Sequence, residues 1–313
     1  MTWVFVALLG YFLNSGAAIL DKYLLSGPIK GPAAYAFFVS LFSLFTLLFI
    51  PFGFQFFGWE STGIFLLSGI LFLYGLVALY TAVQGQEISR ISPLVGTVVS
   101  LVAFGAAIFL PHALGETFFT VRYMFALMLL IGGGLLLSFD LPLRQGERIS
   151  RFVFVAGLAM GGSLLLLKYG YGQANFISGL VWSRLGMFLA GLSLLFVPQF
   201  RRQIFGDAKQ ATGSSRTAVH TGIVFVANKA CAGLATLLIT YATFLGPLSF
   251  VQALSGMQYV FLLLLALPLS LRFPRIFGER LSFWDWFQKI CAIALIGLGL
   301  WLSATGGVKL LFM

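Results

Sequence analysis

The chain of 313 residues is 60% hydrophobic and 9% charged, with a mean hydropathy of +1.01, which excludes an ordinary soluble domain and points to a membrane bundle. At about 20 apolar residues per crossing of a roughly 30 Å hydrocarbon core, it holds ten crossings with short loops and no sizeable soluble domain. Its net charge of +10 comes from basic residues scattered singly or in pairs, a pattern that excludes a nucleic-acid patch and reads as a topology signal.

Apolar windows fall at about 2–20, 33–57, 62–83, 91–110, 121–139, 152–170, 178–199, 218–243, 248–271 and 284–304. Lipid offers no partner to backbone amides, and continuous apolar runs do not fit the alternating pattern of a barrel, so each window is expected to be a helix and the fold all-α. The first stretch lacks a basic region ahead of it and reads as a retained helix. Cys231 and Cys291 lie inside apolar stretches, where packing is the expected role. The longest charged connections are 144–151 and 200–217.

The chain divides near its middle into 1–143 and 152–313, joined by the charged linker 144–151. IGGGLLLS at 131–138 matches IGLGLWLS at 296–303 at six of eight positions, each downstream of a Gly-Glu pair, Gly115-Glu116 and Gly278-Glu279. Lys22-Tyr23 is echoed by Lys168-Tyr169. Three echoes in one order argue for duplication. An odd number of helices per copy inverts the second copy, the arrangement that underlies alternating access in carriers.

Orientation follows from Lys and Arg near helix ends. Fourteen of them, from Lys22, Lys30 and Arg90 through Arg280 to Lys289, fall on the side of the loops after the odd-numbered windows, against Arg122, Lys168 and Lys309 on the other. This bias puts those loops in the cytoplasm and both termini outside a cell (inner) membrane.

The Gly-Glu pair before the fifth helix of each half, followed by a Gly-rich helix as in FGERLSFWDWFQKICAIALIGLGLWL at 277–302, resembles the EamA family of the drug/metabolite transporter superfamily. The resemblance covers nearly the whole chain and implies a ten-helix carrier, without naming a substrate. Members of that family typically carry a basic loop between helices 2 and 3 and keep both termini in the cytoplasm. Here that loop has Glu60 and no Lys or Arg, and the charge count sets the expected orientation.

Mid-membrane charge is costly and persists mainly where it faces a cavity. Lys229, with Asn228 beside it in FVANKACAGLATL, is the sharpest case: a substrate contact, or a structural lysine bonded to a carbonyl or to a carboxylate of another helix. Arg184 in VWSRLGMF and Lys168 lie closer to helix ends, where snorkelling competes and Lys168 reads as a membrane-end anchor. Should all three point inward, the interior is cationic and favours an anionic substrate. Asn14 is expected to bond a neighbouring helix or a ligand, and Gln252 and Gln258 are candidates to line a cavity. Tyr80 and Tyr241 fit gates or, more simply, interfacial belts; Trp182 and Trp301 fit packing or stacking on substrate. Gly157, Gly161, Gly132, Gly133, Gly134, Gly297 and Gly299 are expected to let helices approach closely, between halves or between two copies in a homodimer.

All nine acidic residues sit at or near window ends, so no carboxylate is evidently placed for a mid-membrane relay, and the first helix offers Asn14 where small multidrug pumps of the superfamily carry Glu. Facilitated diffusion or exchange is therefore preferred over proton-driven export. Glu116 and Glu279 suit helix-dipole capping. No paired acids, zinc spacing or phosphate loop supports an enzyme, a metal or a cofactor, and His112 and His220 lie near helix ends. The expected partners are a small solute and the lipid bilayer, with no nucleic acid. The reading is a secondary transporter of a small metabolite, with a non-transporting scaffold or receptor as the alternative and a membrane-embedded enzyme behind it.

Overall fold

The computed structural model describes residues 2–25, 31–83, 88–110, 114, 121–138, 151–211, 215–272 and 283–305, and contains no strand among them. Among the described residues twelve α-helices follow in order: α1 Thr2–Leu25, α2 Pro32–Ser43, α3 Trp59–Val83, α4 Ile88–Phe109, α5 Val121–Ser138, α6 Arg151–Tyr171, α7 Phe176–Ser193, α8 Pro198–Ala211, α9 Ser215–Leu245, α10 Leu248–Ala253, α11 Ser255–Arg272 and α12 Phe283–Thr305. Six stretches are long and apolar enough to cross a membrane: Thr2–Asp21, Pro32–Phe52, Trp59–Val83, Arg151–Tyr171, Phe176–Phe196 and Gly222–Leu245. Shorter apolar stretches, Leu94–Phe109, Met124–Leu136, Leu248–Leu262 and Ile290–Gly299, fall in the four remaining windows.

The surface is apolar and the interior is small. Phe5, Leu9, Phe45, Leu48, Met128, Phe154, Leu158, Leu264 and Trp301 point outward, while many alanines and serines are buried. A soluble protein does not expose apolar area on that scale. In lipid, helices gain little from burying Leu against Leu, and they associate through close packing of small residues.

That packing is visible at the glycines. A methyl added at Gly69 of α3 would stand 1.8 Å from the Ser183 carbonyl oxygen of α7, and one at Gly186 of α7 would stand 2.1 Å from the Leu66 carbonyl oxygen. Gly157 and Gly161 of α6 lie against Val98 and Val102 of α4, and Gly133 and Gly299 join α5 to α12. Gly132 and Gly297 face open space, so they make no close contact within the chain.

Several sequence expectations need correction. The second window is not one α-helix: α2 tightens into a 3-10 helix at Leu44–Phe52 that contains Pro51. The seventh does the same at Leu194–Phe196, just before Pro198, and the two places share the sequences LLFIP (47–51) and LLFVP (194–198). Proline removes a backbone donor and restricts the residue before it, which ends regular helix. The ninth window breaks at Leu254 into α10 and α11, where the Ser100 hydroxyl donates to the Gln252 carbonyl at 2.9 Å. Much of the connection 200–217 is helical: α8 is amphipathic, with Ile204 buried and Arg201 and Arg202 exposed. The linker 144–150, Gly115-Glu116, Gly278-Glu279 and His112 lie outside the described residues.

The glycine contacts make a prediction. Gly69→Val or Gly186→Leu should cost about 1–3 kcal/mol or more through overpacking, read as a lowered melting temperature of the purified chain. Gly132→Ala and Gly297→Ala should leave it unchanged.

Candidate functional site

An interior ion pair lies at one end of the bundle, where α1 ends, α2 begins and α3 ends. Lys229 Nζ of α9 lies 3.1 Å from Asp21 Oδ1 of α1 and donates to the Tyr35 hydroxyl of α2 at 2.8 Å. The ammonium also stands 4.2 Å from the centre of the Tyr35 ring and 5.4 Å from that of Phe225. The Tyr35 hydroxyl donates to the same Asp21 oxygen, and Asn228 Nδ2 donates to it as well. Tyr80 of α3 closes the group with its ring edge-on to Tyr35 at 4.9 Å.

Local sequence explains the assembly. Gly31 and Pro32 start α2, with Pro32 in the first turn where its missing N–H costs nothing, and Tyr35 is then one turn inside. α9 begins seven residues before its apolar stretch, so Lys229, central in the helix, is only seven residues from Gly222, roughly 10 Å at about 1.5 Å per residue.

Two expectations change here. The interior charge is not basic without a matching acid: Asp21, although close to the end of α1, reaches Lys229, and the lysine takes the carboxylate-paired alternative. Tyr80 is buried, not part of an interfacial belt, whereas Tyr241 is 38% exposed. Spacing along single helices did not reveal the pair, because Asp21 and Lys229 are 208 positions apart.

The remaining candidates lie elsewhere. Asn14 Nδ2 donates to Gln258 Oε1 at 2.9 Å, so each satisfies the other between α1 and α11. Lys168 donates to the carbonyls of Thr243 and Gly246 at 2.9 and 2.7 Å, capping the end of α9 and not acting as a lipid anchor. Gln252 is buried with its Nε2 unpartnered, as are Asn228 Oδ1, Tyr171 Oη and Trp182 Nε1. Trp301 is 61% exposed and is excluded from any interior site.

Arg184 is the second interior cation. Its guanidinium stands 3.7 Å from the Met187 sulfur and 5.8 Å from the centre of the Phe72 ring, and no carboxylate among the described residues pairs with it. On α6, the buried Tyr171 hydroxyl makes no hydrogen bond. An Arg fork without a carboxylate partner suits a carboxylate or phosphate oxygen. Tyr171 belongs to an aromatic group with Phe176, Tyr241 and Phe244, at ring separations of 5.1–6.3 Å. That end is tied shut: Gln55 N donates to Ser178 Oγ at 2.8 Å, and Asn175 Nδ2 donates to the Gly53 carbonyl at 2.8 Å.

The ion pair yields a double-mutant prediction. Removing one partner strands a charge, so Asp21→Asn or Lys229→Met should each cost about 3–5 kcal/mol, whereas the double variant should lie much closer to wild type. Thermal unfolding of the four proteins in detergent measures this; additive losses would show that the two side chains do not act as a pair. No family model matches the chain, and no curated protein matches it.

Proposed function

We propose that the chain is a secondary transporter that moves a small anionic metabolite across a cell (inner) membrane by alternating access. In this reading it has ten spans in two inverted five-helix halves, its basic loops are cytoplasmic and both termini are outside, an architecture like that of EamA carriers.

One observation carries the reading: the helices pack in matching pairs. α3 packs on α6 as α1 packs on α9, and α4 packs on α6 as α11 packs on α1, while the α5–α12 and α2–α7 contacts each map onto themselves. Under the same correspondence the partner of α3–α7 is α9–α2, and these two are unequal. α3 and α7 touch at backbone level through Gly69 and Gly186. α2 and α9 meet mainly through rings, Phe38 and Phe42 against Phe225 at 6.3 and 5.5 Å. One cleft tight and its counterpart loose is the inequality a two-state carrier must have, and exchanging the two states would move the opening from one end to the other.

The substrate class follows from the balance of interior charge. Lys229 is neutralised by Asp21, so among the described residues Arg184 is the interior cation that contacts no carboxylate or carbonyl and is free to attract an anion. Trp182 Nε1 and Gln252 Nε2 are further donors without partners, so the unfilled capacity of the interior is mostly for donating hydrogen bonds.

The test is uptake by the purified chain in liposomes from a panel of labelled carboxylates, phosphorylated metabolites, sugars and amines. The expected result is transport of an anion, reduced roughly tenfold to a hundredfold by Arg184→Gln, the equivalent of a charge-assisted hydrogen bond of about 1.5–3 kcal/mol. Arg184→Lys should lose less. Transport of neutral or cationic solutes only would refute the anionic assignment, and no flux at all would refute the carrier.

A further inference from the structure

The Asp21–Lys229 group has features that a merely structural ion pair does not need. Tyr35, Asn228 and Lys229 all donate to Oδ1 of Asp21, and Oδ2 accepts no hydrogen bond from a described residue. The carboxylate is also the accessible partner: the Asp21 side chain is 22% exposed and that of Lys229 is 5%. Glu60, at the start of α3, is exposed, so Asp21 is the carboxylate joined to the interior among the described side chains. The titratable groups facing it are Tyr35 from α2, Tyr80 from α3 and Lys229 from α9.

We propose that the Asp21–Lys229 pair is the proton-exchange site that couples solute movement to proton movement, so that the carrier is an anion–proton symporter; this rests on the anion-carrier reading above. The step is a simple protonation. A proton from the aqueous phase forms an O–H bond at Oδ2 of Asp21, Lys229 keeps its own proton, and the pair goes from neutral to a charge of about +1, with no change in electrons.

Charge arithmetic links the two loads. Arg184, Lys229 and Asp21 sum to +1 when the site is empty. A proton alone raises the sum to +2 and a monoanion alone lowers it to zero, while both together restore +1. The combined load therefore leaves the net charge of the three side chains unchanged, and any coupling between the two sites is reciprocal. Met187 bridges the two positions: it contacts Arg184 and packs in one apolar cluster with Tyr35 and Tyr80.

The same step acts on packing. The polar links of α2 to α1 and α9 run through this carboxylate and the Tyr35 hydroxyl. A protonated Asp21 is a weaker acceptor and no longer a counter-ion, so all three donors lose strength together at the ring-packed α2–α9 junction. Proton occupancy is thereby tied to the element that has to move.

The test uses the full chain in liposomes loaded with a pH-sensitive dye, given inward gradients of phosphate, sulfate, glutamate, malate or phosphoenolpyruvate. The wild type should acidify the lumen together with the labelled anion it carries. Asp21→Asn should keep exchange of that anion, at a reduced rate, without acidification, and Asp21→Glu should restore acidification with a displaced pH profile. If Asp21→Asn fails to fold, the Asp21→Asn/Lys229→Met double variant replaces it with the same expected outcome. Anion exchange by the wild type without acidification, or acidification that survives loss of the carboxylate, would overturn the coupling and leave the carrier standing. Absence of any anion movement by the wild type would overturn the carrier and the coupling together.

Discussion

Close approach of helix backbones through small residues is the constraint on which the rest of the structure depends. Where lipid surrounds the bundle, burying one leucine against another gains little over burying it in lipid, so specificity comes from where backbones can touch. Gly69 and Gly186 join α3 to α7, Gly157 and Gly161 join α6 to α4, and Gly133 and Gly299 join α5 to α12. With these contacts fixed, larger side chains are directed outward to lipid or inward to the few places where the helices stand apart. Those places hold the rings, the interior cations and the unpartnered polar atoms.

The interior charge is concentrated at the α1–α9 contact, where Lys229 pairs with Asp21. If Tyr80 is set against Tyr241 and Lys22 against Lys168, Lys229 corresponds to Ser68, and Asp21 corresponds to Leu167. Ser68 bonds Ser163 at the α3–α6 contact, which under the proposed two-half reading answers to the α1–α9 contact that carries the ion pair. One contact is therefore held by neutral hydroxyls and its counterpart by full charges. A buried ion pair is a weak source of net stability.

Much of the fold was legible in the sequence, because hydrophobic runs and small-residue spacing are local signals. The windows locate the helices, and Gly157, Gly161, Gly133 and Gly299 fall at contacts within the chain, although Gly132 and Gly297 do not. The breaks were harder to see: Pro51 and Pro198 mark the 3-10 turns, and the shared LLFIP and LLFVP segments would have marked them as equivalent. Lys229, Asn228 and Arg184 stood out because charge or amide in an apolar run is conspicuous. Asp21 and Tyr35 did not, since a carboxylate near a helix end and a tyrosine in the first turn look ordinary until a third helix brings its lysine between them. Which face of each helix turns inward is a property of the assembly, and near-uniform hydrophobicity hides it.

The central claim is that the α2–α9 and α3–α7 clefts open and close in opposition. Spin labels at the outward positions Phe45 and Val226 would report the first cleft, and labels at Leu67 and Leu189 the second. Double electron–electron resonance on the chain in lipid should give two distance populations for each pair, with the α2–α9 distance shortening as the α3–α7 distance lengthens when pH and anion are changed. A single distance for each pair, unmoved by either condition, would contradict the account.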